Sequence, residues 1–367
     1  MEHPENDDLY KGLKVNKGVA DVPTVNPYLK KRIQRKEYTP AEFVEGILKG
    51  NITILSQAVT LVESSKYEHQ QVAQEIIEKC LPHAGKSVRI GITGVPGAGK
   101  STSIDAFGMH LIGQGRKLAV LAIDPSSERS KGSILGDKTR MEALSREKNA
   151  FIRPSPSAGS LGGVARKTRE TIVLCEAAGF DTVFVETVGV GQSETAVHSM
   201  VDFFLLIQLA GTGDELQGIK RGIMEMADGI IINKADGDNL EKAKLAAAQF
   251  RNALHLFPAP ESSWSPKVLT YSGYYNLGIK EIWDMVGEYM EFTQKNGYFN
   301  YKRNEQAKYW MYESINDTLR ETFYHNPAVE KMLNFTEQQV LNNEISSFVA
   351  AKRMMDLFWK ICLQRNK

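Results

Sequence analysis

The most constraining feature of this sequence is the segment Gly94 to Ser101, which reads Gly-Val-Pro-Gly-Ala-Gly-Lys-Ser. The apolar run Arg89-Ile-Gly-Ile-Thr precedes it, and a stretch with helical periodicity follows. A loop that wraps backbone N–H groups around a polyphosphate needs glycines where side chains would collide. It also needs a lysine for the β- and γ-phosphate oxygens and a hydroxyl for Mg²⁺. The segment therefore predicts a P-loop between a buried strand and a helix.

The predicted phosphate contacts extend along the whole loop and into the first turn of the helix. Lys100 is also a candidate catalytic residue, because its ammonium group can stabilise charge on the transferred phosphoryl group. The residues predicted to bind the nucleotide phosphates are Gly94, Val95, Pro96, Gly97, Ala98, Gly99, Lys100, Ser101 and Thr102.

Around this loop the sequence alternates short apolar runs with longer amphipathic stretches. This order of strand, crossover helix and strand predicts an α/β fold of the P-loop NTPase type. Its sheet is expected to be doubly wound and mainly parallel, with helices on both faces. The predicted strands are 88–92, 118–123, 182–186, 202–209, 229–233 and 268–271. One predicted helix begins at Ser101, and the others span 166–178, 218–226, 240–255 and 279–289.

Helical stretches flank this core on both sides. Capping residues and apolar spacing predict N-terminal helices over 39–47, 51–64 and 67–80. Long periodic stretches predict C-terminal helices outside the sheet over 300–324 and 336–363. We therefore divide the chain into a flexible arm (1–38), an N-terminal helical segment (39–86), a P-loop NTPase domain (87–295) and a C-terminal helical extension (296–367).

Apolar stripes run along the predicted C-terminal helices. An amphipathic stripe either packs on its own domain or is covered by a second copy of the chain. The residues themselves leave both alternatives open. The stripes consist of Met311, Ile315 and Leu319 in one helix and Val349, Met354 and Phe358 in the other.

Two carboxylates end predicted strands near the P-loop. Asp124 follows the run Leu121-Ala-Ile, and Glu186 follows Val183-Phe-Val. Because the carboxyl ends of parallel strands meet at one edge of a sheet, both acids are expected near the phosphates. Mg²⁺ prefers oxygen ligands and retains several waters. The sequence therefore predicts a Mg²⁺ site made of Ser101, Asp124 and Glu186, with Glu186 also a candidate for positioning water.

The segment Asn233-Lys-Ala-Asp236 matches the Asn-Lys-x-Asp pattern of guanine sites. A carboxylate at Asp236 can accept from the N1–H and N2 amine of guanine, whereas adenine offers an acceptor at N1 and no amine. Asn233 can bridge the base and the P-loop, and the stem of Lys234 can lie over the base. Backbone N–H groups of Ser272-Gly273-Tyr274 can reach guanine O6. The predicted nucleotide is GTP or GDP.

The segment Glu186-Thr-Val-Gly189 predicts a γ-phosphate contact from the N–H of Gly189. Ras-like GTPases place a water-orienting glutamine after this glycine, but Val190 stands here. Intrinsic hydrolysis is therefore expected to be slow, and a partner or another residue must complete the site. Gln192 is close in sequence. Lys220 lies where a loop enters a predicted helix, and a solvated helix charge is its alternative role.

Composition narrows the class of protein. The 45 Lys+Arg residues nearly cancel the 44 Asp+Glu residues, so broad nucleic-acid binding is not expected. The acidic N-terminus resembles neither a secretory signal nor a transit peptide, and the apolar runs are too short to span a bilayer. Three scattered cysteines predict reduced thiols rather than zinc ligands or disulfides. We expect a cytoplasmic protein with no nucleic-acid or membrane partner.

Longer motifs extend this pattern between residues 40 and 295. They are Gly94 to Ser101, Ile123-Asp-Pro-Ser-Ser, Gly132 to Met141, Val185 to Glu194, Gly213 to Lys220 and Asn233 to Asp236. Together they resemble the MeaB/ArgK/MMAA family of G-proteins, in the SIMIBI branch of P-loop NTPases. The resemblance implies a GTPase chaperone of an adenosylcobalamin-dependent acyl-CoA mutase, typically methylmalonyl-CoA mutase. Such a chaperone gates cofactor delivery and protects the enzyme from inactivation.

The same resemblance implies three switch segments, at 124–141, 186–194 and 211–220. Within the third it makes Gln217 and Lys220 candidates for partner-triggered hydrolysis. Family members are usually homodimers through a C-terminal helical extension, which favours a dimer arm over 300–363. The charged stretch Glu128-Arg-Ser-Lys131 departs from the less charged switch I of many members, and mutase contacts there are open.

Two other functions compete with this interpretation. A kinase of a transport-binding protein, the activity once attached to the ArgK branch, needs an acceptor site and a base for it, and the sequence shows no such constellation. A metallochaperone GTPase for nickel insertion predicts clusters of histidine or Cys-x-x-Cys. The seven histidines are scattered, which disfavours that function.

Overall fold

The structure, a computed structural model, describes residues 38–124, 140–156, 161–187, 193–210 and 221–365. Seven strands form one sheet in the order β3-β2-β4-β1-β5-β6-β7, and every strand pairing within it is parallel. The predicted doubly wound α/β fold is confirmed. The strands are β1 (Val88–Gly94), β2 (Leu118–Asp124), β3 (Ala150–Pro156), β4 (Thr182–Thr187), β5 (Phe203–Leu209), β6 (Gly229–Asn233) and β7 (Lys267–Thr270).

The helices surround the sheet and continue beyond it at the C-terminus. The first six are α1 (Pro40–Leu48), α2 (Ile52–Glu63), α3 (Tyr67–Cys80), α4 (Lys100–Gly113), α5 (Leu161–Ala177) and α6 (Ser193–His198). The other six in the described ranges are α7 (Arg221–Met226), α8 (Leu240–Leu254), α9 (Ile279–Lys295), α10 (Tyr298–Tyr324), α11 (Pro327–Leu341) and α12 (Ser347–Arg365).

The central strands are almost entirely buried and mostly apolar, as expected for a parallel sheet that is covered on both faces. On one face, Ile92 belongs to a buried cluster with Phe107 of α4 and Ile282 of α9. On the other face, Ile230 packs in a separate buried cluster with Phe250 of α8. Helices therefore cover both faces, as predicted, and the carboxyl ends of the central strands are left for a ligand.

The sequence analysis missed strand β3, which lies at an edge of the sheet beside β2. Its segment contains Pro154 and Pro156, and proline reads as a strand breaker because it cannot donate to a ladder. An edge strand pairs on one side, so proline is tolerated there. Consequently Glu186 does not follow Asp124 on the next strand of the chain, but β2 and β4 are still neighbours in the sheet.

The N-terminal helices agree closely with their predicted extents. Asn51 caps α2, since its side-chain oxygen accepts from the N–H groups of Thr53 and Ile54 at 3.0 and 3.2 Å. An ion pair between Glu63 at the end of α2 and Arg153 of β3 ties this helix to the sheet. The helical segment therefore covers the β3 side of the molecule.

The single C-terminal helix predicted over 336–363 is wrong, because two helices occupy this region. Helix α11 ends at Leu341, and Asn343 adopts a left-handed conformation with φ 57°. Asparagine tolerates this conformation better than most residues, so the Asn342-Asn343 pair was the missed stop signal. After the break, Ser346 accepts from the N–H of Val349 at 3.3 Å as α12 begins.

The apolar stripes of the extension divide between two environments. Met354 and Phe358 are buried against Val329 of α11. In contrast, Met311, Ile315 and Leu319 of α10 are each about half exposed, at 51%, 47% and 56%. Met354 and Phe358 therefore pack within their own chain, whereas Val349, at 45% exposed, and the α10 stripe stay on the surface. No helix in the described ranges has both the length and the apolar character to cross a membrane.

At the amino edge of the sheet, a buried ionic network joins β1, α5 and α10. Arg89 donates to both carboxylate oxygens of Glu176, at 2.8 and 2.9 Å. Arg303 of α10 likewise donates to both oxygens of Asp202, at 2.8 and 2.7 Å. Asp202 also accepts from the backbone N–H of Arg89 at 2.9 Å, which links the two pairs.

Candidate nucleotide-binding site

The P-loop starts at the carboxyl end of β1, in the middle of the sheet. Gly94 has φ 155°, and a Cβ there would lie 2.2 Å from the carbonyl oxygen of Ile207 in β5. Gly99 has φ 86°, and its Cβ would lie 2.6 Å from Nδ2 of Asn233. Only glycine fits both positions, since neither neighbour leaves room for a side chain. The glycine spacing in the sequence therefore reflects contacts with β5 and β6.

Lys100 is 9% exposed, and its Nζ donates to the loop carbonyls of Gly94 and Val95 at 2.9 and 3.4 Å. Burial lowers the pKa of Lys100, while the charges of Glu186 and Glu194 act in the opposite direction. The lysine thus lies inside the loop with its charge directed at backbone oxygens. A polyphosphate can replace those carbonyls as the acceptor.

Two predicted metal ligands lie together beside the loop. Ser101 Oγ donates to Glu186 Oε1 at 3.4 Å. A hydroxyl and a carboxylate oxygen at this distance fit the all-oxygen preference of Mg²⁺. The backbone of Asp124 ends β2, the strand next to β4, so its position agrees with the prediction. Its side chain lies outside the described part of the structure.

Asn233 connects the predicted base site to the P-loop. Its Nδ2 donates to the carbonyl oxygen of Ala98 at 2.7 Å, a buried contact. Its Oδ1 accepts from the N–H of Lys234 at 2.7 Å and of Gly273 at 3.1 Å. Lys234 itself is exposed and left-handed, with φ 59°. One amide thus ties together the loop after β1, the end of β6 and the loop after β7.

Asp236 lies next to the loop after β7, where its carboxylate accepts a hydrogen bond from Ser272 Oγ. The prediction gave backbone N–H groups of 272–274 to guanine O6, but the N–H of Gly273 donates to Asn233 and that of Ser272 to the carbonyl of Leu277. Tyr274 is 81% exposed. The structure therefore brings Asp236 and the 272–274 segment together, with Gly273 supporting Asn233.

The predicted site residues lie along the carboxyl edge in the order of their strands. The order β2-β4-β1-β5-β6-β7 places Asp124 and Glu186 on one side of the P-loop. It places Asn233 and Ser272 on the other side. The edge therefore has an acidic half for a metal and a polar half for a base, with the phosphate loop between them.

Four predicted site residues lie outside the described ranges, so the structure does not bear on their positions. These are Gly189 and Gln192 of the second switch segment and Gln217 and Lys220 of the third. The whole of the charged stretch 128–131 is likewise outside.

Sequence reasoning missed three polar residues beside the loop. Thr187 Oγ1 donates to Thr93 Oγ1 at 2.8 Å, and this buried bond joins the ends of β4 and β1. Glu194, at the start of α6, is 3% exposed, and its charge acts on Lys100. The two threonines could have been found as polar residues ending apolar runs. Glu194 carried only the weak signal of an acid in a first helical turn.

Comparison with known proteins identifies the relatives of this chain. The family model described as "Methylmalonyl Co-A mutase-associated GTPase MeaB" matches residues 55–328. A putative GTPase of Caulobacter vibrioides is 50% identical over 312 residues, covering 85% of this chain and 95% of that protein. The mouse protein named methylmalonic aciduria type A homolog, mitochondrial, is 45% identical over 323 residues, which cover 85% of this chain and 78% of that protein.

A solved structure agrees with this result. The crystal structure of an LAO/AO transport system kinase has a TM-score of 0.70 and 38% sequence identity to this chain. The match covers 88% of this chain and 99% of that one. The shared fold and sequence extend over nearly the whole of that protein.

Proposed function

This chain belongs to the MeaB family of GTPases, and we propose that its GTP cycle controls an adenosylcobalamin-dependent acyl-CoA mutase. Methylmalonyl-CoA mutase is the first candidate, because the family is described by its association with that enzyme. In this role the protein gates cofactor loading and protects the loaded enzyme. The observation that carries the proposal is the family match over residues 55–328, which includes both halves of the carboxyl-edge site.

The proposed phosphate chemistry follows from the P-loop and its buried Lys100. Backbone N–H groups of 94–102 bind the phosphates, and Lys100 exchanges its loop carbonyls for phosphate oxygens. Ser101, Asp124 and Glu186 would hold Mg²⁺, which neutralises charge on the phosphate oxygens when bound. These residues position the nucleotide and do no covalent chemistry themselves.

The proposed base recognition depends on Asp236. Its carboxylate accepts from the N1–H and N2 amine of guanine, and Ser272 holds it in place. Asn233 supports the loop behind the base through Ala98 and Gly273. Adenine would leave the Asp236 charge facing another acceptor, which is costly in a partly buried site.

Hydrolysis is proposed to await a partner. Val190 occupies the position of the water-orienting glutamine in Ras-like enzymes. Gln192, Gln217 and Lys220 are the candidates that complete the site when a mutase binds, with Gly189 sensing the γ-phosphate. A cation supplied at that moment stabilises charge developing on the phosphate oxygens.

We further propose that the protein is a homodimer through its C-terminal extension. The stripe of Met311, Ile315 and Leu319 supports this, since a row of half-exposed apolar side chains on one helix is typical of an interface. Trp359 and Phe348 of α12 are also exposed, at 54% and 86%. Sedimentation of the full chain measures the oligomeric state directly.

The test is GTP turnover with and without adenosylcobalamin-dependent methylmalonyl-CoA mutase. We expect the mutase to raise turnover at least about tenfold, since one added transition-state donor contributes about 10²–10³. Lys220→Ala should retain GTP binding and lose the stimulation. A mutase that neither co-purifies with the GTP-loaded protein nor changes its turnover would contradict the proposal.

A second candidate function is phosphoryl transfer to a transport-binding protein, which the name of the related kinase structure favours. It predicts stable label on an acceptor protein after incubation with GTP labelled at the γ-phosphate. The mutase proposal predicts that all label appears as inorganic phosphate.

A further inference from the structure

Helix α10 presents a row of hydrogen-bond donors to the turn that links α6 to β5. Gln306 Nε2 donates to the carbonyl oxygen of Val201 at 2.8 Å. Trp310 Nε1 donates to the carbonyl of Ser199 at 3.0 Å. Lys302 Nζ donates to the carbonyl of Asp202 at 2.8 Å. Because these donors are spaced by four residues, they form one stripe along the helix.

The acceptors are main-chain carbonyls that follow the end of α6. The last carbonyls of any helix lack partners within that helix. Here α10 supplies partners from a different part of the chain. Lys302, Gln306 and Trp310 are 8%, 6% and 7% exposed, and a buried donor without an acceptor would be strongly unfavourable. The contact therefore fixes α10 and the α6–β5 turn relative to each other.

The opposite end of α6 faces the phosphate site. Ser193 and Glu194 begin the helix and are 1% and 3% exposed. Ser193 Oγ and one carboxylate oxygen of Glu194 have no hydrogen-bond partner within the described structure. Burial lowers the pKa of Lys100, and the negative charge of Glu194 is one of two that oppose this lowering. A helix of this length spans about 9 Å, so little more than one and a half helical turns separate Glu194 from the turn that α10 contacts.

We infer that Lys302, Gln306 and Trp310 are positioning residues that hold Glu194 beside Lys100, so that α6 couples the nucleotide state to the docking of α10. A γ-phosphate added near Lys100 repels the buried carboxylate of Glu194, one oxygen of which has no partner in the described structure, and displaces α6. The displacement acts on the carbonyls that α10 caps. The extension thus reads the nucleotide through α6, a coupling that rests on the phosphate site proposed above.

Coupling between two sites is reciprocal, so weakening the α10 contact must change nucleotide preference. Gln306→Met and Trp310→Phe each remove a donor and keep most of the side-chain volume. We expect the double variant to change the ratio of the Kd for GDP to the Kd for a non-hydrolysable GTP analogue by about fivefold or more. Tyr309→Phe is the matched control, because Tyr309 is a neighbouring aromatic that is 44% exposed, and it should leave the ratio unchanged.

A second variant makes the experiment decisive. Glu194→Gln removes the charge at the other end of α6 and should change the ratio itself. Because the two sites share no partner, independent effects would add. We expect Glu194→Gln combined with Trp310→Phe to be non-additive in this ratio. Additive effects of Glu194→Gln and Trp310→Phe on the Kd ratio overturn the inference. So does a folded Gln306→Met, Trp310→Phe variant that keeps the wild-type ratio. If the variant carrying both Gln306→Met and Trp310→Phe does not fold, the comparison of Glu194→Gln, Trp310→Phe and their combination decides.

The outcome is separate from that of the proposed function. A wild-type protein that binds neither GDP nor the GTP analogue contradicts the nucleotide site itself. A protein that binds both, with a ratio insensitive to α10 and Glu194, contradicts only the coupling.

Discussion

The amino edge and the carboxyl edge of the sheet, where the strands begin and end, use similar polar residues in different ways. At the amino edge, Arg89 and Glu176 satisfy each other with two hydrogen bonds. At the carboxyl edge, Lys100 is bonded to loop carbonyls and Asp236 to a serine hydroxyl, both exchangeable partners. Charges paired with each other stabilise the fold, whereas charges held by neutral groups keep their capacity for a ligand. The amino edge therefore stabilises the fold, and the carboxyl edge keeps its charged groups available for the proposed ligand.

The largest expected effect is at the amino edge. Burial raises the pKa of Glu176, but hydrogen bonds and charge from Arg89, with help from Ser87 and Gly85, leave it below its usual value. Glu176→Gln leaves the guanidinium of Arg89 buried without its counter-charge, so we expect the free energy of unfolding to fall by about 3–5 kcal/mol. Denaturant titration measures this loss, and the Kd for GTP of the folded protein should stay near the wild-type value.

The control is Glu45→Gln, which breaks an exposed pair with Lys49. Exposed pairs contribute little to stability, so its unfolding midpoint should not move. A Glu176 variant as stable as this control would remove the contrast between the edges.

The next effect is at the carboxyl edge and has the opposite character. Asp236→Asn removes the charge that we propose accepts two hydrogen bonds from guanine. Since charge-assisted hydrogen bonds contribute about 1.5–3 kcal/mol each, we expect the Kd for GTP to rise about 100-fold. Titration with a fluorescent GTP analogue measures it. The unfolding midpoint should change little, in contrast to the Glu176 variant.

Asp238→Asn is the matched control, because Asp238 is exposed two residues further along the same loop. It should bind GTP as the wild type does. Equal losses in the two variants would indicate a general effect of loop charge rather than base recognition, and undiminished guanine selectivity in Asp236→Asn would rule out the proposed contact.

The smallest effect concerns the pH dependence of stability and comes from His198 at the end of α6. Burial and the charge of Lys302 lower the pKa of His198 from 6.5 to about 3. Because the unfolded chain binds a proton below pH 6.5 and the folded chain does not, stability falls as the pH falls below 6.5. Between pH 7 and pH 5 the expected loss is about 2 kcal/mol. His198→Gln should remove that part of the slope in urea titrations across this range, and an unchanged slope would contradict the assignment.

The sequence predicted most of the sheet because its strong signals are local. A P-loop, an Asn-Lys-x-Asp motif and a continuous apolar strand each lie within a few residues. The missed strand β3 has prolines that only an edge position permits, and edge position is a property of the whole sheet. The break after Leu341 was marked only by an asparagine pair, which apolar periodicity outweighed.

The site was predicted by residue more completely than by contact. The roles of Lys100 and Asn233 were inferred from motifs, but the hydrogen bond from Gly273 to Asn233 joins loops after different strands. No local pattern gives such a contact. Glu194 is a clearer example, because its proximity to Lys100 depends on how α6 packs, and α6 itself was not predicted.

The two prolines of β3 have a consequence for how molecules meet. Pro154 and Pro156 are two residues apart, so the missing N–H groups are on the same side of the strand. An open strand edge invites pairing with another chain, and proline blocks it. At the other border of the sheet, the guanidinium of Arg251 donates a hydrogen bond to the carbonyl oxygen of Val268 in β7 at 3.2 Å. Strand addition is disfavoured at both borders, so the homodimer that we propose would form through helical surfaces rather than by extending the sheet.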